Sequence, residues 1–148
     1  MTKRISMVLC LFVVACGGAD SEPAAEPITY ENMSFEQREA FMAEVVMPQM
    51  KEVFVAFDPK YEAFSCATCH GKGATDGTYA LPNADILPLP ATEEAFFAKL
   101  EQDPEFARWS QFMLDKVYPQ MAEMLQVPMF DPMKQPDGFS CSNCHTHE

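Results

Sequence analysis

Two copies of the pattern Cys-x-x-Cys-His carry the most evident chemistry in this sequence, one at 66–70 (CATCH) and one at 141–145 (CSNCH). The pattern is the attachment signal of a c-type haem, because two thioethers anchor the porphyrin edge and the next residue brings an imidazole to the iron. We therefore predict two covalently bound haem c groups. The predicted thioether residues are Cys66, Cys69, Cys141 and Cys144. The predicted proximal iron ligands are His70 and His145.

A zinc site is the competing interpretation of paired cysteines. Zinc ribbons join two C-x-x-C knuckles that lie about 15–20 residues apart. Here Cys69 and Cys141 are 72 residues apart, and each motif carries its own adjacent histidine. Of the six cysteines, Cys10 and Cys16 lie near the N-terminus and the other four belong to the motifs, so none remains for a disulfide. Covalent haem would then staple a small exported core in place of disulfides.

The second iron ligand of the last motif is not expected downstream of it, because only three residues follow His145 in the sequence. One of them, His147, is interpreted as a solvated residue of a charged tail. The ligand is therefore expected among the upstream methionines, although most methionines at helical spacing fill the core.

An internal repeat narrows that choice. Segments 35–52 and 106–123 align at a shift of 71 residues, and FDP and FSC then recur in both copies. Eight of eighteen aligned positions are identical: Phe35/Phe106, Phe41/Phe112, Met42/Met113, Val46/Val117, Pro48/Pro119, Gln49/Gln120, Met50/Met121 and Glu52/Glu123. We predict Met50 and Met121 as distal iron ligands. Met42 and Met113 stay open as alternatives, and Met47 and Met124, which have no repeat partner, are expected to pack in the core.

Helical signals surround both motifs. Ser34 and Gln37 form a predicted capping box for a helix that ends near Phe57, before Asp58-Pro59. Further helices are predicted over 92–102 and from Asp103-Pro104 to about 127, the latter with proline in its first turn. Matching prolines at 48 and 119 predict kinks. The expected fold is mainly α, with two repeated helix–loop–CxxCH units (about 34–70 and 105–148) around two haems, long loops and no significant sheet.

The N-terminus carries an export signal. Lys3 and Arg4 precede a short apolar run, which is typical of a signal peptide and too short for a membrane span. The run ends in Val13-Val14-Ala15-Cys16, which resembles a bacterial lipobox. We predict a signal peptide over 1–15, lipidation of Cys16, an anchor and flexible tether over 16–33, and a dihaem domain over 34–148. The expected location is the periplasmic side of a membrane.

The charge balance limits the class of partner. Without Lys3 and Arg4, eight basic residues face 22 acidic ones, a formal charge of −14. Such a surface argues against binding nucleic acid or an anionic lipid surface. It favours a basic redox partner, or serves solubility only.

The order of parts, a methionine-bearing helix followed by a turn and C-x-x-C-H, resembles the haem unit of the multihaem cytochrome subunit of photosynthetic reaction centres. The resemblance covers about 34–70 and 105–145, with two motifs instead of four. It implies a half-sized, two-haem relative and no photosynthetic role. Cytochrome c′ also has a C-terminal C-x-x-C-H, but it carries one haem, which would leave Cys66–His70 unexplained.

The function expected from these residues is electron transfer rather than enzymatic catalysis. Iron ligated by His and Met on both faces has no free position for a substrate, and methionine raises the reduction potential. The alternative is an open-haem protein, either a gas binder of the cytochrome c′ type or a small haem peroxidase. No nucleophile–base set or catalytic carboxylate pair stands out in the sequence.

Overall fold

The computed structural model describes residues 28–148, and this part of the chain is mainly helical. The predicted signal peptide, Cys16 and most of the tether fall within residues 1–27, outside the described residues. Between residues 28 and 148 the extended backbone pairs only in isolated bridges. The expectation of a mainly α fold without significant sheet is therefore confirmed.

Seven α-helices occur in the described part of the chain. They are α1 (Phe35–Phe41), α2 (Met47–Phe57), α3 (Cys66–His70), α4 (Gly73–Asp76), α5 (Glu93–Gln102), α6 (Pro104–Phe112) and α7 (Tyr118–Leu125). Two π-helical segments and three 3₁₀ turns complete the helical structure: Met42–Val46, Met113–Val117, Tyr30–Asn32, Pro59–Ala63 and Cys141–Asn143. No helix among residues 28–148 is both long and apolar enough to cross a bilayer.

The first long helix, named helix A here, joins α1, a π-helical segment and α2 without a break (35–57). Its start is the predicted capping box, because the Gln37 amide donates to Ser34 Oγ at 3.3 Å and the Ser34 amide donates to Gln37 Oε1 at 2.8 Å. It ends at Phe57, as predicted. Asp58 then accepts a hydrogen bond from the Lys60 amide and starts the 3₁₀ turn.

The second long helix, helix B, joins α6, a π-helical segment and α7 (104–125). Asp103 Oδ1 caps it by accepting from the Glu105 and Phe106 amides at 3.1 and 3.0 Å. The helix ends two residues earlier than predicted, because Gln126 adopts a left-handed conformation with φ 56°. Thr92 caps the preceding helix α5 as predicted.

The prolines at 48 and 119 each follow a π-helical segment. In helix A the Met47 amide bonds to the Met42 carbonyl, and in helix B the Tyr118 amide bonds to the Met113 carbonyl. A proline ring would otherwise meet the carbonyl four residues before it, and the wider π turn relieves that contact. Each proline is thus accommodated by an extra residue in the turn before it, which rotates the following residues by about 100° relative to a regular α-helix.

Helices A and B meet in an aromatic core. The Phe54 ring lies 4.9 Å from Phe64 and 5.1 Å from Phe112, centroid to centroid, and Phe57 stacks on Phe112 at 4.0 Å. Trp109 packs edge-on against Phe57 at 4.6 Å. Each of the buried rings contributes about 1.5–3 kcal/mol by leaving water. This core holds the two helices together beside the first motif, because Phe64 lies two residues before Cys66.

The segment between α3 and α5, residues 71–91, is called the linker here. It contains the short helix α4, which the sequence did not predict. Its second half runs beside the C-terminal tail, where Leu89 and Ala91 amides donate to Thr146 and Glu148 carbonyls at 2.8 Å each. The linker of the first unit therefore lies against the end of the second motif.

Candidate functional site

The first motif is a single helical turn held by its flanking residues. Helix α3 spans Cys66–His70, and the Ser65 amide before it donates to Thr68 Oγ1 at 3.0 Å. The turn closes at Gly71, whose amide donates to the Ala67 carbonyl at 2.9 Å and whose φ is 52°. The two cysteines of this turn are partly buried.

The second motif has a similar local design in a tighter turn. Residues Cys141–Asn143 form a 3₁₀ turn, and the Ser140 amide donates to Asn143 Oδ1 at 2.7 Å. The His145 amide then donates to the Cys141 carbonyl at 2.9 Å, which adds one α-type bond. In both motifs, a serine amide before the first cysteine is therefore bound by the side chain three residues later.

The linker orients both motif histidines. His70 Nδ1 lies 3.1 Å from the Tyr79 carbonyl oxygen, and His145 Nδ1 lies 2.8 Å from the Leu87 carbonyl oxygen. A carbonyl oxygen can only accept, so each Nδ1 carries the proton and donates it. In the neutral imidazole this leaves Nε2 as the acceptor nitrogen, which is the atom that binds a metal. The Tyr79 ring also packs edge-on against the His70 ring at 5.5 Å.

An apolar cleft lies beside the second motif. It is lined by Met113, Val117, Tyr118, Met121, Phe139, Ser140, Cys141 and Cys144. The cleft therefore brings Met121 to the two cysteines of this motif, together with its alternative, Met113. Met124 does not line the cleft; it packs against the aromatic core, as Met113 and Met121 also do in part.

Tyr118 fixes the wall of this cleft. Its hydroxyl donates to the Phe139 carbonyl at 2.7 Å and accepts from the Phe130 amide at 3.0 Å, and its ring stacks on the Phe139 ring at 5.8 Å. Tyr118, the first residue after the π turn of helix B, is thereby bonded to the segment 130–139 that leads into the second motif.

Met50, the predicted ligand of the first unit, is 2 % exposed and belongs to the aromatic core with Val46, Phe54, Phe64 and Phe112. Cys69 packs against the edge of the same core, as do Met42 and Met47. The core side of the first motif thus contains both repeated methionines of helix A.

The motif cysteines are electrostatically linked. Burial raises the pKa of the Cys69 thiol to about 12, with smaller contributions in the same direction from the neighbouring Cys144 and Cys66 thiols. Burial likewise raises the pKa of Cys144, with a smaller effect from Cys141. The carbonyls of Cys69 and Cys144 both accept hydrogen bonds from Asn83, at 2.8 and 2.9 Å, so the second cysteines of the two motifs are close in space.

The chain matches no protein-family model, and no curated protein or solved structure is significantly similar to it. The site is therefore interpreted from its own geometry.

The residues of both motifs fit a c-type haem in chemistry and surroundings. Each motif offers two thiols, an imidazole whose Nε2 is left for a metal, and a nearby apolar face with methionine side chains. Within residues 28–148, no three side chains of the His, Cys, Asp or Glu types converge as metal ligands would. His147 is exposed, and its Nε2 lies 2.8 Å from Ser142 Oγ.

The sequence did not predict the role of the linker. Tyr79 and Leu87 act through backbone carbonyls, which any residue type supplies, so the sequence carries no signal for them. Asn83 differs from these two residues because it acts through its side chain. A polar side chain that is buried in an otherwise apolar, proline-rich stretch requires hydrogen-bond partners. That stretch, 81–90, contains Asn83 and Asp85 as its only side chains with hydrogen-bonding groups.

Proposed function

We propose that this protein is a dihaem c-type cytochrome that is tethered to a membrane and carries electrons between redox partners. The observation that carries the proposal is the matched orientation of two imidazoles. Both His70 and His145 donate from Nδ1 to a backbone carbonyl, at 3.1 and 2.8 Å, and keep Nε2 for iron. Zinc-binding and unligated histidines can make the same bond, but here each is joined to a C-x-x-C pair by sequence.

A haem whose two axial positions are filled by protein side chains supplies outer-sphere, one-electron transfer. The chain's own residues would set the conditions for that chemistry. Cys66, Cys69, Cys141 and Cys144 would form the thioethers, and His70 and His145 would hold the proximal side. The lining of the apolar cleft by Met121 supports this methionine as a distal ligand, with Met113 as the alternative. Met50 is the corresponding proposal for the first unit.

The closeness of the two motifs supports exchange of electrons between them. Asn83 of the linker donates to the Cys69 carbonyl at 2.8 Å and to the Cys144 carbonyl at 2.9 Å, so one residue contacts both motifs. Two attachment sites that share one linker form a compact pair of redox sites and not two independent domains. This arrangement favours a carrier that passes electrons onward over a gas-binding protein with a single open site.

Location and partners are part of the proposal. Lipid on Cys16 and the tether over 16–33 would hold the domain at the periplasmic side of a membrane. The excess of acidic residues supports a basic redox partner and argues against nucleic acid. The likeness to reaction-centre cytochrome units supports the pairing of haems, without a photosynthetic role.

Methionine ligation can be tested on the purified holoprotein. We expect Met121→Ala to remove the methionine-to-iron charge-transfer band of one of two haems, because the cleft offers the thioether to that site. Met124→Ala is the matched control, since this methionine packs on the core and does not line the cleft. Retention of both bands in Met121→Ala would refute the ligand assignment.

A second measurement separates the carrier from its rival. Carbon monoxide is added to the reduced wild-type protein, and the visible spectrum is followed. A carrier with both axial positions filled is expected to bind none rapidly. Fast stoichiometric binding at either haem would favour the open-haem alternative, a gas binder or small peroxidase.

A further inference from the structure

Asn83 stands out as the one buried polar residue among residues 28–148, with 6 % of its surface exposed. Its side chain and its backbone each reach one of the two motifs. The side-chain Nδ2 donates to the Cys69 carbonyl at 2.8 Å, and the backbone amide donates to the Cys144 carbonyl at 2.9 Å. Both carbonyls belong to the residue immediately before a motif histidine. One linker residue therefore holds equivalent points of the two motifs.

The position of Asn83 in the linker adds to this link. Tyr79, whose carbonyl binds His70, lies four residues before it, and Leu87, whose carbonyl binds His145, lies four residues after it. The two residues whose carbonyls bind the motif imidazoles thus flank Asn83 in the linker. A displacement of Asn83 would therefore move both carbonyl acceptors.

The linker is locked locally as well. Asn83 Oδ1 accepts from the Asp85 amide at 2.8 Å, which forms a turn between the two acceptors. The amide orientation follows from its partners, because a carbonyl requires the NH₂ group and an amide N–H requires the oxygen. Gly71 lies so close that a Cβ there would meet both Asn83 side-chain heteroatoms at 2.9 Å. The Asn83 side chain is therefore fixed by three contacts, with the Cys69 carbonyl, the Asp85 amide and Gly71.

Burial of an amide in this place needs a reason. An apolar residue of similar size would fill the space without losing hydration, whereas asparagine is stable there only if its polar groups are bonded. Its partners are the backbones of the two motifs and of the linker itself. The buried amide therefore serves the relative placement of the motifs rather than packing alone.

We propose that Asn83 is a positioning residue that sets the orientation of His70 and His145 together and so tunes both iron sites at once. This inference rests on the proposed function. A hydrogen bond from Nδ1 makes an imidazole a more basic ligand. A more basic ligand favours ferric iron, so weaker bonds at Nδ1 raise the midpoint potential.

The test uses the full-length holoprotein and Asn83→Ala. Potentiometric titrations give both midpoint potentials, and electron paramagnetic resonance gives the signal of each low-spin ferric site. We expect both potentials to rise and both signals to shift in the variant. Asn83→Ser is the second variant, because its hydroxyl can keep the turn to Asp85 while it is too short to reach Cys69; it should shift the potentials in the same direction by a smaller amount.

Thr92→Ala is the matched control. It removes the cap of helix α5 at the end of the linker, without touching either motif. In this control both midpoint potentials should stay at the wild-type values, even though helix α5 is less stable. A shift confined to one site in the Asn83 variants, no shift at all, or an equal shift in Thr92→Ala would overturn the proposal.

These outcomes are distinct from failure of the proposed function. If the wild-type protein carries no covalent haem, or binds carbon monoxide at once, the carrier function fails before any variant is made. If the wild type carries two methionine-ligated haems and the Asn83 variants leave both potentials unchanged, only the positioning role fails.

Discussion

Replacement of Gly71 by alanine is the sharpest test of how the linker packs on the first motif. Gly71 has φ 52° and ψ −130°, a combination that residues with a Cβ rarely adopt. A Cβ at this position would lie 2.5 Å from Asp85 Oδ2 and 2.9 Å from the Asn83 side-chain nitrogen and oxygen. Glycine is therefore required both by its backbone and by its neighbours.

The expected cost of Gly71→Ala combines these two effects. The backbone conformation alone costs roughly 1–3 kcal/mol for a residue with a Cβ. The clash pushes the Asn83 amide away from the Cys69 carbonyl, and loss of a buried hydrogen bond costs about 1–3 kcal/mol more. We expect a total loss of roughly 2–6 kcal/mol, a large part of the 5–15 kcal/mol that is typical of a folded domain.

Denaturant unfolding of the purified full-length protein measures this loss, with the slope m checked for constancy. Gly77→Ala is the matched control, because Gly77 also has a positive φ, 76°, but a Cβ there would meet nothing within 4 Å. Only the backbone effect, about 1–2 kcal/mol, is expected for the control. If Gly71→Ala costs no more than Gly77→Ala, the close packing of Asn83 and Asp85 on the first motif is wrong.

Further predictions concern the cleft, the acid limit of stability and the core. Tyr118→Phe removes the hydroxyl that donates to the Phe139 carbonyl, and we expect the free energy of unfolding, measured by thermal unfolding, to fall by about 1 kcal/mol. A Tyr→Phe change at the surface should cause no such loss. The Lys60 amide lowers the pKa of Asp58 below its ordinary value of 3.8, so this charge stabilises the fold above that pH and the gain is lost as the pH falls through the lowered pKa. Asp58→Asn should therefore flatten the acid side of a stability–pH curve, and an unchanged curve would contradict this reasoning. Met50→Ala should cost about 2–5 kcal/mol in denaturant unfolding, because it empties a core position that is 2 % exposed, and a loss under about 1 kcal/mol would place this residue outside the core.

The helices could be predicted because their signals are local. Ser34 and Thr92 are polar residues directly before helical patterns, and each caps its helix as expected. The start of helix B was predicted from Pro104, and the cap by Asp103 was found in the structure. The ends were also set by nearby residues, such as Asp58-Pro59 after helix A. Local chemistry of this kind is readable from a single sequence.

The π turns were only partly predictable. Pro48 and Pro119 indicate a disturbance in each long helix, but a kink, a break and a π turn all relieve the same clash. The choice depends on where the following residues pack. Met50 after the first π turn lies in the aromatic core, and Met121 after the second lies at the cleft.

The linker contacts could not be predicted, because they join residues far apart in sequence through backbone atoms. The bonds of His145 to Leu87 and of Asn83 to Cys144 span 58 and 61 residues. Burial of Met50 likewise depends on Phe112 from helix B. Spacing within one segment carries no information on such pairings.

The intact mass of the denatured, purified protein tests the presence of two covalent haems most directly. The protein should be produced in a bacterial host that exports it and attaches c-type haem. We predict a mass that exceeds the polypeptide by two haems, which stay attached in denaturant because Cys66, Cys69, Cys141 and Cys144 hold them as thioethers. A polypeptide with four free thiols, or a metal that is lost on denaturation, would contradict the assignment.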